Sequence, residues 1–228
     1  MIDWIEPDEE ERRDLVRAYS EDREDLVHRL DLLYPRFAHW NSADKVELIL
    51  MDVCGFHVVD APLSLGQLAR CDFSARTIIW NSRTVDFANP KTNLKLLKQS
   101  TLAHELGHLR LHWDELKSGL SLNYWGDTRQ FSDSRSFQRE READLYASVF
   151  LVPIDELLLQ RPVKNLLKNR QDKREMRSST LWSMVYRLAK GFSVSPTLMK
   201  RTLVDLGWLH QERGKRGKNG KLLLRLRF

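Results

Sequence analysis

Cysteine is almost absent: Cys54 and Cys71 are the only two in 228 residues. A disulfide framework is therefore excluded as a source of stability, and both thiols are expected to be free and buried beside apolar segments. Long hydrophobic runs are missing as well. No stretch approaches the roughly 20 apolar residues that a membrane-crossing helix needs. The opening stretch, MIDWIEPDEEERRD, is acidic and lacks the apolar centre of a secretory leader. No membrane partner is expected, and the cytoplasm is the expected compartment. What is present is 42% hydrophobic and 30% charged residues, enough apolar content for one large domain or a main domain with appendages.

Charge is unevenly spread. Residues 160–228 carry 18 Lys and Arg against 4 Asp and Glu, a net +14. Residues 1–159 carry 19 against 28, a net −9. An acidic body joined to a basic tail implies either two tasks or two halves that attract each other.

Helical spacing of Leu15, Val16, Leu26, Val27, Leu30 and Leu33 predicts one or two solvent-facing helices over residues 8–34, ended by Pro35. Asn41 and Ser42 are candidate caps for a helix over 43–54, with Gly55 as its stop. Phe56–Val59 and Thr77–Trp80 read as strands, the second being β-branched and aromatic. A helix from about Pro90 to His112 follows. Residues 113–139 are polar and read as a long loop with room for short helical turns, of the kind that borders a cleft. Residues 137–151 read as a helix closed by Pro153, and 154–167 as helix interrupted at Pro162. The charged stretch 168–179 reads as a linker or exposed helix end. From Thr180 the order is helix, turn, helix, with Gly191 as stop, Ser195 as cap and Pro196 at the first helical position. A strand, a glycine-rich turn and a strand complete a winged-helix-like arrangement.

The chemistry is concentrated in HELGH, His104 to His108. On one helix, residues four apart share a face, so two imidazoles stand side by side at a spacing that suits one zinc ion. Glu105 lies one step round the helix, within reach of a water on that ion. This is the HExxH pattern of zinc hydrolases, with the glutamate as general base. A catalytic zinc needs a third protein ligand and one open position. His112 continues the face, but three histidines of one straight helix would struggle to surround a tetrahedral ion. Glu140 from the later helix is preferred, with Asp144 on the same face to hold a ligand imidazole by a hydrogen bond. Glu142 is the reserve candidate. The tetrahedral oxyanion needs a further donor. Tyr124, His112 and an arginine near the loop are candidates, and the sequence does not choose among them.

TLAHELGH, LRLH, EREADLYASVFLVP and the preceding TIIWNS resemble the ImmA/IrrE family of zinc metallopeptidases. There, a strand ending in Asn leads to an HExxH helix, followed by E-x-E-A-[DN]-x-x-A and a closing Leu-x-Pro. The resemblance covers residues 41–210, and the two motifs together are specific. Tyr146 stands where Phe is usual and Val152 where Met or Leu is usual, both conservative changes. The resemblance implies that His104, His108 and Glu140 bind zinc and that Glu105 is catalytic. It implies an α+β fold with a gluzincin-like core, a small sheet plus the HExxH helix, followed by a segment of helix-turn-helix type. The expected division is a helical extension over 1–40, a peptidase core over 41–160 and a basic region over 161–228. It further implies a protein substrate of regulatory kind, a DNA-binding repressor. The alternative is a DNA-binding regulator that keeps a structural zinc site. Its phosphate contacts would come from Arg213, Lys215, Arg216, Lys218 and Lys221.

Overall fold

The computed structural model describes residues 9–37, 40–90, 92–117, 122–124, 134–216 and 222–226. Helix α1 (Glu9–Leu33) is one continuous helix. It buries Tyr19, Leu26 and Leu30 on one stripe and leaves its charges in solvent. Arg23 ties it inward, donating from Nε to the Phe150 carbonyl at 3.1 Å and from Nη2 to Ser42 Oγ at 2.8 Å. Helix α2 (Ser42–Leu48) is capped by Asn41, whose Oδ1 accepts from the Asp44 amide at 3.0 Å. It runs on into a wider π turn over Ile49–Val53. Gly55, at φ 72°, then turns the chain into the sheet.

The sheet has four strands: β1 (His57–Ala61), β2 (Ala69–Asp72), β3 (Thr77–Asn81) and β4 (Leu122–Tyr124). Their order is β1-β3-β2-β4. β1 runs parallel to β3, with His57 opposite Thr77 and Ala61 opposite Asn81. β2 is antiparallel to β3 and to β4. Sequence pattern does not reveal β2. Its alternation is only four residues long, Ala69 and Cys71 inward and Arg70 outward, too short to stand out from a loop. Cys71 is buried and Cys54 partly buried, and both are free. At the end of β3, the fully buried Asn81 organises the neighbouring loop. Its Oδ1 accepts from the amides of Leu63 and Arg83, both at 3.0 Å, and its Nδ2 donates to the Gln67 carbonyl at 2.6 Å.

After a short helix α3 (Thr84–Phe87), helix α4 (Leu94–Leu111) starts at an Asn93 cap, four residues later than expected. Every residue of α4 from Thr101 to Leu109 is buried, so the helix passes through the middle of the protein. The polar stretch after it holds a short helix, in keeping with a loop that has helical turns, and also a strand that its sequence does not announce. It contains α5 (Trp113–Lys117) and β4, and helix α6 (Ser134–Leu151) begins three residues before its expected start. α6 lies across α4. A Cβ on Gly107 would meet the Ala143 Cα and carbonyl oxygen at 3.0 Å. Glycine here permits the close approach of the two backbones.

The remaining helices are α7 (Ile154–Leu159), α8 (Arg161–Gln171), α9 (Ser178–Gly191) and α10 (Pro196–Asp205). Pro162 sits in the first turn of α8, where its missing N–H costs no helical bond. Of the two readings of the charged stretch after 167, its start is a helix end, since α8 extends into it as far as Gln171. Ser195 Oγ accepts from the Leu198 amide at 3.1 Å and caps α10. A hairpin of β5 (Leu209–Arg216) and β6 (Leu222–Leu226) follows, with an irregular register between Gln211 and Arg216. One apolar cluster runs from Tyr19 in α1 through α4, α6 and α9 to Leu226 in β6. Among the described residues, no helix is long and apolar enough to cross a membrane. The fold is mixed α and β, mostly helical with small sheets.

Candidate metal centre

Helix α4 places His104 and His108 on the face that meets α6, and their Nε2 atoms lie 3.0 Å apart. Glu140 arrives from α6. Its Oε2 is 3.0 Å from His104 Nε2, and its Oε1 is 3.3 Å from His108 Nε2. All three side chains are buried, and one ligand atom from each lies within 4.8 Å of the others. Three electron-rich atoms facing one point are a poor arrangement by themselves, since two imidazoles and a carboxylate have too few protons to join them all. A cation resolves it. Around a tetrahedral zinc with nitrogen ligands at about 2.0–2.1 Å, neighbouring ligands are roughly 3.3 Å apart, so the donor set and its spacing fit zinc.

The outer nitrogen of each imidazole is also held. Asp144, one turn beyond Glu140 on α6, accepts from His104 Nδ1 at 3.1 Å. That fixes the tautomer whose Nε2 lone pair faces the cluster. His108 Nδ1 donates to His112 Nδ1 at 3.0 Å, and His112 Nε2 donates to Glu142 Oε2 at 2.9 Å. Two of the sequence-based expectations change here. His112 has both ring nitrogens engaged, so it is not placed to donate to an oxyanion; it stands behind His108. Glu142, the reserve ligand, points at His112 and not at the cluster. The signal for both is present in the sequence as two series at helical spacing, His104/His108/His112 and Glu140/Asp144 with Glu142 between them. What sequence lacks is how the two helices cross.

Glu105 is fully buried, and neither of its carboxylate oxygens has a hydrogen-bond partner among the described residues. Burial pushes its pKa up to about 7, with His104 opposing and Glu140 adding to the rise. Burial lowers His108 to about 4. It also disfavours charge on His104, but the Asp144 and Glu140 carboxylates outweigh it and raise that imidazole. Burial would raise Glu140, and the two histidines overcome it and hold Glu140 down at about 2.

Residues 91–203 match a family model, Peptidase_M78, described as the IrrE N-terminal-like domain. The chain carries an IrrE N-terminal-like domain. The match runs from the approach to α4 into α10, so the metal cluster and its supporting residues all lie inside it. No curated protein matches the chain. Among solved structures, a Mycobacterium tuberculosis transcriptional regulator is similar at 17% identity and a TM-score of 0.47. The match covers 92% of this chain, which spans 58% of the length of that regulator.

Some expected site residues fall outside what the structure describes. Tyr124 ends β4, which pairs with β2, but its side chain lies outside the described residues. Arg213, Lys215 and Arg216 lie on β5, C-terminal to the IrrE N-terminal-like domain, and their side chains are likewise outside. Lys218 and Lys221 are outside altogether.

Proposed function

We propose that this chain is a zinc-dependent endopeptidase that cleaves a regulatory protein, a helix-turn-helix repressor. One observation carries the reading. His104 Nε2, His108 Nε2 and the Glu140 carboxylate converge from two helices, and the Glu105 carboxylate, without a hydrogen-bond partner among the described residues, interacts electrostatically with His104 and Glu140. The Peptidase_M78 family match supports peptidase activity for the class.

In this reading His104, His108 and Glu140 hold the ion. Zinc held there would supply Lewis-acid chemistry, acidifying a water towards a pKa of ~7 and polarising the scissile carbonyl. Glu105 takes the proton of the attacking water and delivers it to the leaving amine. Among the described residues, no hydrogen-bond donor competes for its two oxygens. Asp144 and His112 keep the ligand imidazoles in the tautomer that leaves Nε2 free. Tyr124 is retained as the proposed donor to the oxyanion. The proposed division remains a helical extension over 1–40, a peptidase core over 41–160 and a basic region over 161–228.

The test uses purified chain loaded with zinc and incubated with a helix-turn-helix repressor, the products being read by mass spectrometry. The expected result is one discrete cut. Glu105→Gln should keep its zinc and lose about 10²–10⁴-fold in rate, the usual contribution of a positioned general base. A zinc-loaded wild type that leaves the repressor intact, or a Glu105→Gln chain that cuts equally fast, overturns the assignment.

The alternative, a DNA-binding regulator with a structural zinc, rests on the basic charge of residues 160–228. The second helix of the expected helix-turn-helix, α10, has its polar side chains directed elsewhere. Arg201 meets Asp144 of α6, Asp205 meets Arg141 of α6, and Lys200 meets Gln211 of β5. On this geometry the hairpin is the better candidate for phosphate contact.

A further inference from the structure

We propose that Arg201, carried by α10, is a positioning residue of the metal centre that holds the Asp144 carboxylate against His104. The proposal rests on the zinc reading above and adds a residue from an element outside the two motifs. Arg201 Nη1 lies 2.7 Å from Asp144 Oδ1, and that same oxygen is 3.1 Å from His104 Nδ1. One carboxylate oxygen thus accepts from a metal-ligand imidazole and from a guanidinium on another helix.

The charge balance explains why a guanidinium is needed there. The Asp144 side chain is only 4% exposed, so water does little to stabilise its charge. A histidine that gives its Nε2 lone pair to a cation is neutral, and offers Asp144 an N–H dipole but no net charge. A buried carboxylate opposite a neutral donor is costly unless a cation also faces it. Arg201 supplies that cation, and its fixed charge and planar fork make it better suited than lysine.

The placement of Arg201 is built into the fold. The Ser195 cap and Pro196 fix where α10 begins. Leu198, Met199, Thr202 and Leu203 are buried and set its rotation. A second pair crosses the same helix interface in the opposite sense, Arg141 of α6 to Asp205 of α10 at 3.4 Å. Each helix therefore gives one arginine and one aspartate to the other, which fixes the register in which Arg201 reaches Asp144.

The experiment measures zinc affinity of the full chain by competition with a chromophoric chelator, and the visible spectrum of the cobalt-loaded form. Wild type, Arg201→Met, Arg201→Lys, Asp144→Asn and the Asp144→Asn/Arg201→Met double variant are compared, with thermal unfolding of each metal-free chain as a check on folding. Residues that orient metal ligands typically change affinity by about 10–100-fold. Arg201→Met is expected to lose about 10-fold and to shift the cobalt bands, and Arg201→Lys to recover part of the loss. In the Asp144→Asn background, Arg201→Met should have no further effect, because its route to the metal is already cut. If wild type binds zinc and Arg201→Met matches it in affinity and spectrum, the positioning role is wrong and the zinc reading stands. A loss that persists undiminished in the Asp144→Asn background excludes the positioning role in the same way. If wild type binds neither zinc nor cobalt, both fall together.

Discussion

His104 and His108 are chemically alike, one turn apart on the same helix, yet their surroundings differ. His104 leans on a carboxylate, Asp144, while His108 leans on a second imidazole, His112, which passes the contact on to Glu142. A neutral imidazole is a weaker partner than a carboxylate, so the His108 arm depends on the whole chain of three. Removing His112 leaves a buried Nδ1–H with no acceptor, at a cost of about 1–3 kcal/mol, and frees the ligand ring to rotate. His112→Ala is accordingly expected to weaken zinc binding by about 10–100-fold while leaving a folded chain, as read by chelator competition beside circular dichroism. Unchanged affinity would show that His108 needs no support from His112.

Helices α4 and α6 form the centre by packing closely, and a single missing side chain allows it. Gly107 lies between His104 and His108 and faces Ala143, which lies between Glu140 and Tyr146 on α6. A methyl group at 107 meets backbone atoms at 3.0 Å and the Tyr146 Cβ at 3.2 Å, and backbone cannot swing aside as a flexible side chain can. Gly107→Ala gains about 1 kcal/mol of helix propensity but overpacks the interface at about 1–3 kcal/mol, so a net loss of stability is expected. Because the displacement separates the histidines from Glu140, zinc affinity should fall with it. A denaturant midpoint and a zinc affinity both at wild-type level would mean that the helices have slack at this crossing. The strands show the limits of local pattern. β3 is evident from Thr77-Ile78-Ile79-Trp80, whereas β2, four residues with two charges, exists because β3 and β4 lie on either side of it.

Across the whole molecule, the basic region is packed against the acidic body and does not stand apart as a free tail. Apolar residues of α9, α10, β5 and β6 belong to the same core as those of α1 and α4. Arg201 and Arg141 add charged contacts at the α6–α10 junction. At least Arg201 of the positive charges of residues 160–228 is thus used internally, and the β5–β6 hairpin is kept as the proposed place of contact with nucleic acid. If Arg213, Lys215, Arg216, Lys218 and Lys221 each neutralise one phosphate, the logarithm of duplex affinity should fall against the logarithm of salt with a slope of about −4 to −5. Replacing the five with glutamine should flatten that slope. A salt-independent affinity, or a slope unmoved by the replacements, rules out the hairpin as a phosphate contact.

The sequence by itself determined the local features: where α4, α6 and α10 lie to within a few residues, which cap starts α10, and which face of α4 bears two imidazoles. Those follow from periodicity and from the chemistry of residues one turn apart. It also singled out Glu140 on α6 as the preferred partner of the histidines, with Glu142 in reserve and Asp144 expected to hold an imidazole by a hydrogen bond. Only the tertiary structure showed which side chains meet, Glu140 with the two imidazoles and Glu142 with His112, because Glu140 and Glu142 are identical side chains two residues apart. Which one reaches the histidines depends on the rotation of α6 against α4, set by Gly107 and Ala143. The contact from Arg201 was likewise out of reach of sequence, since 57 residues separate it from Asp144 and only the packing of α10 on α6 brings them together.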